Sequence, residues 1–368
     1  MRRILQVVTH MNRGGLETML MNYYRNIDRE QIQFDFLTHR PYDGDYGEEI
    51  KQMGGNVYHL PVLNPFSSSY KRELKHFFES HPEYQIVHVH QDCLSGVILK
   101  VAQACGVKVR IAHSHSSSQD KDVKYPIKLF YRQFIPRYAT DLMACGKDAG
   151  EWMFRGAEFR ILNNAVDTKL YTADQEKREA LRDQLGIAAD AFVVGHVGRF
   201  CPPKNHTFLI DIYYQIKKIE PEARLVLVGE DSGEIADRIK EKVKKLHLED
   251  SVIFTGVRSD VADLLQAMDV FLFPSLYEGL PVTLVEAQAS GLPCLISDKV
   301  PPDCKITDLV QQLPLSVGAD AWAKAAIEAG KASARKDTSA QIKAAGFDIA
   351  ENAKWLQEYY ISSLEKAQ

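Results

Sequence analysis

The sequence contains no run of eighteen apolar residues, so nothing in it reads as a membrane-spanning helix. Its six cysteines (Cys93, Cys105, Cys145, Cys201, Cys294 and Cys304) are scattered, with no Cys-x-x-Cys pair. This argues against a disulfide framework or a thiolate zinc site and fits the reduced thiols of a cytoplasmic protein. Gly-x-Gly-x-x-Gly and Gly-x-x-x-x-Gly-Lys-Ser/Thr are both missing, which removes the usual dinucleotide and P-loop signals. No repeat of about 20–50 residues and no low-complexity tract appears. The opening "MRRILQVVTHMNRGG" is basic, but it lacks a long apolar core and a small-residue cleavage site. It reads as a first strand rather than a leader.

What is present is ordinary for a globular chain: 368 residues, 45% hydrophobic and 26% charged. That length exceeds one comfortable core and predicts two domains. The net charge of -4 hides an asymmetry. Residues 1–165 carry 21 Lys+Arg against 18 Asp+Glu, and the rest carry 24 against 31. Nine of the twelve histidines lie in the first half. The weakly basic half tolerates anionic substrates or surfaces, but its excess is far too small for a nucleic-acid partner.

Short apolar runs alternate with stretches of helical period. In the first half they are "RILQVVT", "QFDFLTH", "NVYHL", "IVHVH", "VRIAHSH", "DLMACG" and "FRILNN". After a polar connector the pattern restarts with "FVVGHVG", "ARLVLVGE", "SVIFTGV", "DVFLFPS" and "PCLISD". Such alternation predicts α/β architecture, with two doubly wound parallel-sheet domains of Rossmann type. The expected division is 1–170, 171–347 and a final helix over 348–368 that packs back onto the first domain. Ile349, Trp355, Leu356, Tyr359, Ile361 and Leu364 are its apolar residues. Two such domains are expected to face a cleft at the carboxyl ends of their strands, where open α/β sheets bind ligands.

Functional residues should therefore follow strands. After the first strand, Gly14 and Gly15 open a helix whose free N–H groups suit a phosphate. After the first strand of the second domain come Arg199 and Lys204, joined through Pro202-Pro203. Two cations near a helix start would neutralise a diphosphate, Arg as a fork and Lys as a point charge. The stretch "SLYEGLPVTLVEAQASG" follows another strand, with Pro281 at the first helical position. Its backbone N–H groups at Gly279, Leu280, Val282 and Thr283 suit an anion. Glu278 and Glu286 flank that site. Beside an anion they would accept hydrogen bonds from neutral hydroxyls, as a nucleotide sugar offers.

"GGLE", "GRFCPPKN", "TGVRSDVADLLQAMDVFLFPS" and "EGLPVTLVEAQASGLP", in this order, resemble the retaining glycosyltransferases of family 4, which have the GT-B fold. The resemblance covers nearly the whole chain. "MNRGGLETM", "RIAHSHS" and "LYEGLPVTLVEAQASGLPCLISD" are most similar to bacterial exopolysaccharide and capsule enzymes. It implies a nucleotide-sugar donor, with UDP expected, held by the second domain, and a saccharide acceptor, possibly lipid-linked, held by the first. Arg199 and Lys204 would neutralise the leaving diphosphate. Glu278 would meet sugar hydroxyls, Glu286 the ribose, and Val257-Arg258 the base. The family histidine that meets the donor sugar corresponds to His113 or His115, with His115 slightly preferred.

Transfer with front-face retention then needs no enzyme nucleophile, because the leaving diphosphate helps take the acceptor's proton. One departure is Asn163-Asn164-Ala165, where the family shows Pro-Asn-Gly. No metal or other cofactor is expected. Asp43-Gly44-Asp45 and Asp120-Lys121-Asp122 match the Asp-x-Asp pattern of metal-dependent enzymes only superficially. The basic, aromatic segment 120–138 suggests peripheral contact with an anionic membrane, at the inner face of the cell membrane. The alternatives are a non-catalytic nucleotide-sugar-binding partner subunit or a nucleotide-sugar epimerase of the same architecture.

Overall fold

The computed structural model describes residues 1–118, 123–332 and 335–367. The chain divides into two compact units, Met1–Ala165 with Ile349–Gln368, and Val166–Asp348.

The first unit is built on strands β1 (Arg2–Val7), β2 (Ile32–Thr38), β3 (Val57–His59), β4 (Ile86–Val89), β5 (Val109–Ser114), β6 (Asp141–Ala144) and β7 (Arg160–Ile161). All pair in parallel, in the order β3-β2-β1-β4-β5-β6-β7. Register places Ile4 of β1 between Phe34 and Ile86. Parallel strands need helical crossovers, and every residue of β2 and β4 is buried, as in strands covered on both faces. The sheet winds outward in both directions from the β1/β4 boundary, which is its switch point.

The second unit repeats the plan with β8 (Val193–Val197), β9 (Arg224–Val228), β10 (Val252–Phe254), β11 (Val270–Phe273), β12 (Cys294–Ser297) and β13 (Val310–Leu313). Their order is β10-β9-β8-β11-β12-β13, again all parallel, with the switch between β8 and β11. Val194, Leu225, Leu227, Val270, Leu272 and Leu295 pack with Leu209, Tyr213 and Trp322 in one core. Full burial stabilises each large aliphatic side chain by about 1.5–3 kcal/mol.

All seven strands expected in the first unit form, as do the five expected in the second. The sixth, β13, escapes a hydropathy reading because Gln311 and Gln312 interrupt it. It is an edge strand, and Gln312 Nε2 donates to Ser297 O and Val300 O instead of burying apolar surface.

The last helix, Ile349–Lys366, packs against the first unit. Its buried face is Ile349, Ala353, Leu356, Tyr360 and Leu364, a spacing of four and three that fits one helical stripe. Trp355 is 39% exposed, so the apolar count put it on the wrong face. Tyr360 meets Phe34 edge to face at 6.0 Å. At Asn163-Asn164-Ala165 no residue has positive φ, so this turn has no need of the family glycine. Tyr23 Oη donates to Asn163 O over 2.7 Å to hold it.

Candidate functional site

The β8/β11 switch point gathers the charged residues of the second unit. Lys204 ends a short helical turn, Pro202–Lys204, just after β8, and Asn205 then takes φ 53° and ψ 43°. Glu278 lies on the loop after β11. Lys204 Nζ donates to Glu278 Oε1 over 2.8 Å, with the side chains 16% and 12% exposed. The ammonium also sits 4.5 Å from the centroid of the Phe273 ring. Leu276 N donates to Pro203 O over 2.7 Å, and Asn205 Nδ2 to Pro274 O over 3.1 Å, which ties the two loops together.

Close packing of backbone makes this arrangement possible. Gly229, after β9, has φ 144°, and a Cβ there would lie 2.3 Å from Gly198 O. Arg199 is exposed and forms no hydrogen bond or ion pair with its side chain among the described residues. The sequence-expected cation pair is thus split. Lys204 is held and largely buried, while Arg199 is loose on the surface.

Glu286 lies in the helix Val282–Ala289, with Pro281 immediately before it as the capping residue rather than at its first position. Glu286 is 4% exposed and accepts a hydrogen bond from Tyr171 Oη at 2.8 Å. Burial raises its pKa to about 7, against the opposing effect of the Tyr171 bond. Near neutral pH this carboxyl sits at the midpoint between donor and acceptor. Gly279 is half-buried, Leu280 and Val282 are buried, and Thr283 Oγ1 is buried without a hydrogen bond among the described residues. Val282 and Thr283 open the helix, where backbone N–H groups lack intrahelical acceptors. Val257, 47% exposed, follows β10. Next to it Arg258 Nε and Nη2 grip Asp260 at 2.8 and 2.5 Å, and this bond raises the guanidinium pKa.

The first unit collects histidines at the carboxyl ends of β4 and β5, one strand over from its switch point. Val89↔Ala112 pairing brings β4 and β5 side by side. Ring centroids of His88 and His113 are 5.1 Å apart, of His90 and His115 5.0 Å, and of His113 and His115 4.0 Å. His113 is 2% exposed, and neither ring nitrogen has a hydrogen bond among the described residues. Partly buried His115 instead shares a 2.8 Å bond between its Nε2 and His90 Nδ1. Desolvation draws the pKa of His88 and of His115 down to about 3 and holds His90 and His113 well below the ordinary value. All four are therefore neutral near pH 7.

Gly14 precedes the helix Gly15–Asn26. A Cβ on it would meet Glu17 Oε2 at 2.4 Å, whereas Gly15 faces open space. Glu17, 6% exposed and 3.2 Å from His10 Nδ1, brings a carboxylate to the helix start where a phosphate had been expected. Its place, third in the helix of "GGLE", is the signal that a side chain folds back on the cap. Asp43 is occupied by Lys51 at 2.5 Å and His59 at 2.9 Å, and Asp45 accepts from Arg13 N. Asp120-Lys121-Asp122 lies outside the described residues. In the basic segment, helix Tyr125–Arg132 buries none of its residues. Phe130 is 55% exposed, while Arg132 lies over the Trp152 ring at 4.8 Å. Among the described residues no helix is long and apolar enough to cross a membrane.

Two parallel α/β units, one carrying neutral histidines and the other an ion pair at its strand ends, define a two-domain α/β protein built for a polar ligand. Residues 177–345 match the family model "Glycosyl transferases group 1". EpsF of Bacillus subtilis (strain 168), whose name includes the word glycosyltransferase, is 37% identical over 99% of this chain and 98% of its own length. The capsular polysaccharide biosynthesis glycosyltransferase CapH of Staphylococcus aureus is 24% identical over 78% of this chain and 79% of its own. The Anabaena protein Alr3699/HepE, solved in complex with UDP and glucose, superposes with a TM-score of 0.80 at 20% identity, covering 98% of this chain and 100% of its own. The chain belongs to the glycosyltransferase family and has the GT-B fold.

Proposed function

We propose that the protein transfers a sugar, with retention and without a metal, from a nucleoside-diphosphate sugar to a saccharide acceptor in exopolysaccharide or capsule synthesis. The observation that carries this reading is the shielded Lys204–Glu278 pair at the β8/β11 switch point. An ammonium neutralised by its own carboxylate is a site with its countercharge already loaded. An arriving diphosphate takes over Lys204, and Glu278 is released to accept hydrogen bonds from sugar hydroxyls. Exposed Arg199 is free to close on the same diphosphate as a fork. The first-turn N–H groups of Val282 and Thr283 add positive potential. Together these supply the charge that a metal supplies elsewhere.

Glu286, poised near neutrality and backed by Tyr171, accepts or donates to ribose hydroxyls, and Val257-Arg258 receives the base. From the first unit, His115 meets the sugar in transit. As a neutral imidazole it offers a lone pair, not a charge, to a cation-like transition state. His113 has no such opening to solvent and serves as packing beside it. The departing diphosphate takes the acceptor's proton.

UDP is the expected nucleotide. The Alr3699/HepE structures hold UDP or UDP-glucose. An Escherichia coli relative, 27% identical over 59% of this chain and 58% of its own length, is named as a UDP-Gal:alpha-D-GlcNAc-diphosphoundecaprenol galactosyltransferase. A lipid-linked acceptor would also give a purpose to exposed Val123 and Phe130, which would rest at the cytoplasmic face of the membrane. The test is to incubate the purified chain with UDP-sugars, with and without undecaprenyl-diphosphate saccharides, in the presence of chelator. Acceptor-dependent release of UDP is the expected result. An isomerised donor without any acceptor would point to an epimerase, and no turnover with any donor would remove the proposal.

A further inference from the structure

A chain of buried hydrogen bonds runs from His115 to the far end of the polypeptide. His115 Nε2 lies 2.8 Å from His90 Nδ1, and His90 Nε2 lies 2.9 Å from Gln6 Oε1. Gln6 Nε2 donates to Tyr360 Oη over 3.2 Å, and Tyr360 Oη lies 2.7 Å from His88 Nδ1. Gln6 and Tyr360 are wholly buried, and His88 and His90 nearly so. The five residues come from β1, β4 and the residue just past it, the segment just past β5, and the last helix.

We propose that Gln6, His90 and Tyr360 are positioning residues that hold His115 in a single tautomer, Nε2 protonated and Nδ1 bare, so that Nδ1 accepts a hydrogen bond from a sugar hydroxyl. This rests on His115 meeting the transferred sugar, as proposed above. A carboxamide has one end that only donates and one that only accepts, and a neutral imidazole has one nitrogen of each kind. With Gln6 Nε2 turned to Tyr360, its Oε1 must accept, so His90 Nε2 carries a proton. His90 Nδ1 is then bare and takes the proton of His115 Nε2–H. The remaining nitrogen of His115, Nδ1, is left as a lone pair.

His90 stays neutral throughout, since burial holds its pKa well below the ordinary value. His113 has no equivalent chain, and both its nitrogens are unpartnered among the described residues. Nothing sets its tautomer, and this separates two histidines that spacing alone leaves equal. Such outer partners are known to orient functional imidazoles and fix which nitrogen is free. Tyr360 closes the chain, which gives the last helix a part in the reaction as well as in packing.

The test is imidazole 15N NMR on the full chain, with His115 assigned through His115→Asn, read beside steady-state transfer. In the unaltered protein His115 should show a pyrrole-like Nε2 and a pyridine-like Nδ1. Tyr360→Phe removes only the hydroxyl. His115 should then average between tautomers, with kcat down about tenfold to a hundredfold, as for losing the outer partner of a metal-bound imidazole, and donor KM unchanged. Gln6→Glu keeps the acceptor facing His90 and should retain the tautomer, so it stands in if Tyr360→Phe does not fold. The opposite tautomer in the unaltered protein would overturn the proposal. So would a Tyr360→Phe protein with unchanged 15N shifts and unchanged kcat, or loss of the tautomer in folded Gln6→Glu. If the tautomers behave as stated but His115→Asn transfers at full rate, the chain stands and the role of His115 in the reaction falls.

Discussion

The two units share a plan and bury different chemistry at the carboxyl ends of their central strands. The first sinks neutral bases, His88, His90 and His113, between β4 and β5. The second also buries two neutral imidazoles, His196 and His206, and adds to them a carboxyl, Glu286, and an ion pair, Lys204–Glu278, beside β8 and β11. A doubly wound sheet thus specifies where function sits and leaves the chemistry to side chains. The first unit offers uncharged hydrogen-bonding groups, suited to sugar hydroxyls. The second offers charge that can be redistributed, suited to a diphosphate.

The largest expected effect sets the units apart by pH. A histidine whose folded pKa is depressed costs nothing above its unfolded value of about 6.5. As pH falls from there toward about 3, the unfolded chain gains a proton that the folded one refuses, and stability drops. Each buried histidine then contributes about 1.4 kcal/mol per pH unit, so three together approach ~4 kcal/mol per unit. The first unit holds five such histidines (His39, His88, His90, His113 and His115) and the second two (His196 and His206), so acid unfolding followed by hydrogen exchange should open the first unit before the second. Simultaneous opening would break the comparison.

Next in size is Lys204→Ala. Removing one preorganised charge contact typically costs roughly 3–4 kcal/mol of transition-state stabilisation, about a 10²–10³-fold fall in rate. Transfer assays measure it, and a variant near the unaltered rate would deny Lys204 its part. Glu286 gives the mirror image of the histidines. Its folded pKa is raised to about 7, so its stabilisation is complete below about 4.5 and is lost as pH rises through 7. Glu286→Gln should therefore gain up to about 3 kcal/mol in the second unit at pH 8, and nothing at pH 4, in paired denaturant titrations. Equal stability of both proteins at pH 8 would mean that the carboxyl is not desolvated.

Smallest is Arg258→Ala. Arg258 is already engaged by Asp260 near the surface, so its loss should shift the discrimination between UDP and other nucleotides by no more than about fivefold, within the range of an exposed ion pair. Competition binding would show it.

Much of this was legible in the sequence, for identifiable reasons. Short apolar runs between helical stretches gave β1 to β12 and missed β13, where Gln311 and Gln312 break the run and Gln312 donates to backbone carbonyls at an edge. Arg199, Lys204 and Glu278 could be placed at strand ends because a parallel sheet directs all its carboxyl ends one way. What stayed hidden was pairing across long stretches of chain. Nothing in the polar connector marks Tyr171 as the donor to Glu286, and nothing links Gln6 to Tyr360. "IVHVH" carried a partial signal, since residues two apart in a strand share a face, which puts His88 and His90 together. Glu17 showed the opposite failing. Two glycines at a helix start suggested room for phosphate, but one of them makes room for that glutamate.

The exchange of partners at Lys204 is tested most directly by calorimetric titration of UDP into the unaltered protein, Lys204→Ala and Glu278→Ala. Lys204→Ala should bind UDP far more weakly. Glu278→Ala should bind UDP at least as tightly as the unaltered protein, because the ammonium is no longer shared, while failing to transfer sugar. Loss of UDP binding in a folded Glu278→Ala protein, or unchanged binding in Lys204→Ala, would contradict the exchange.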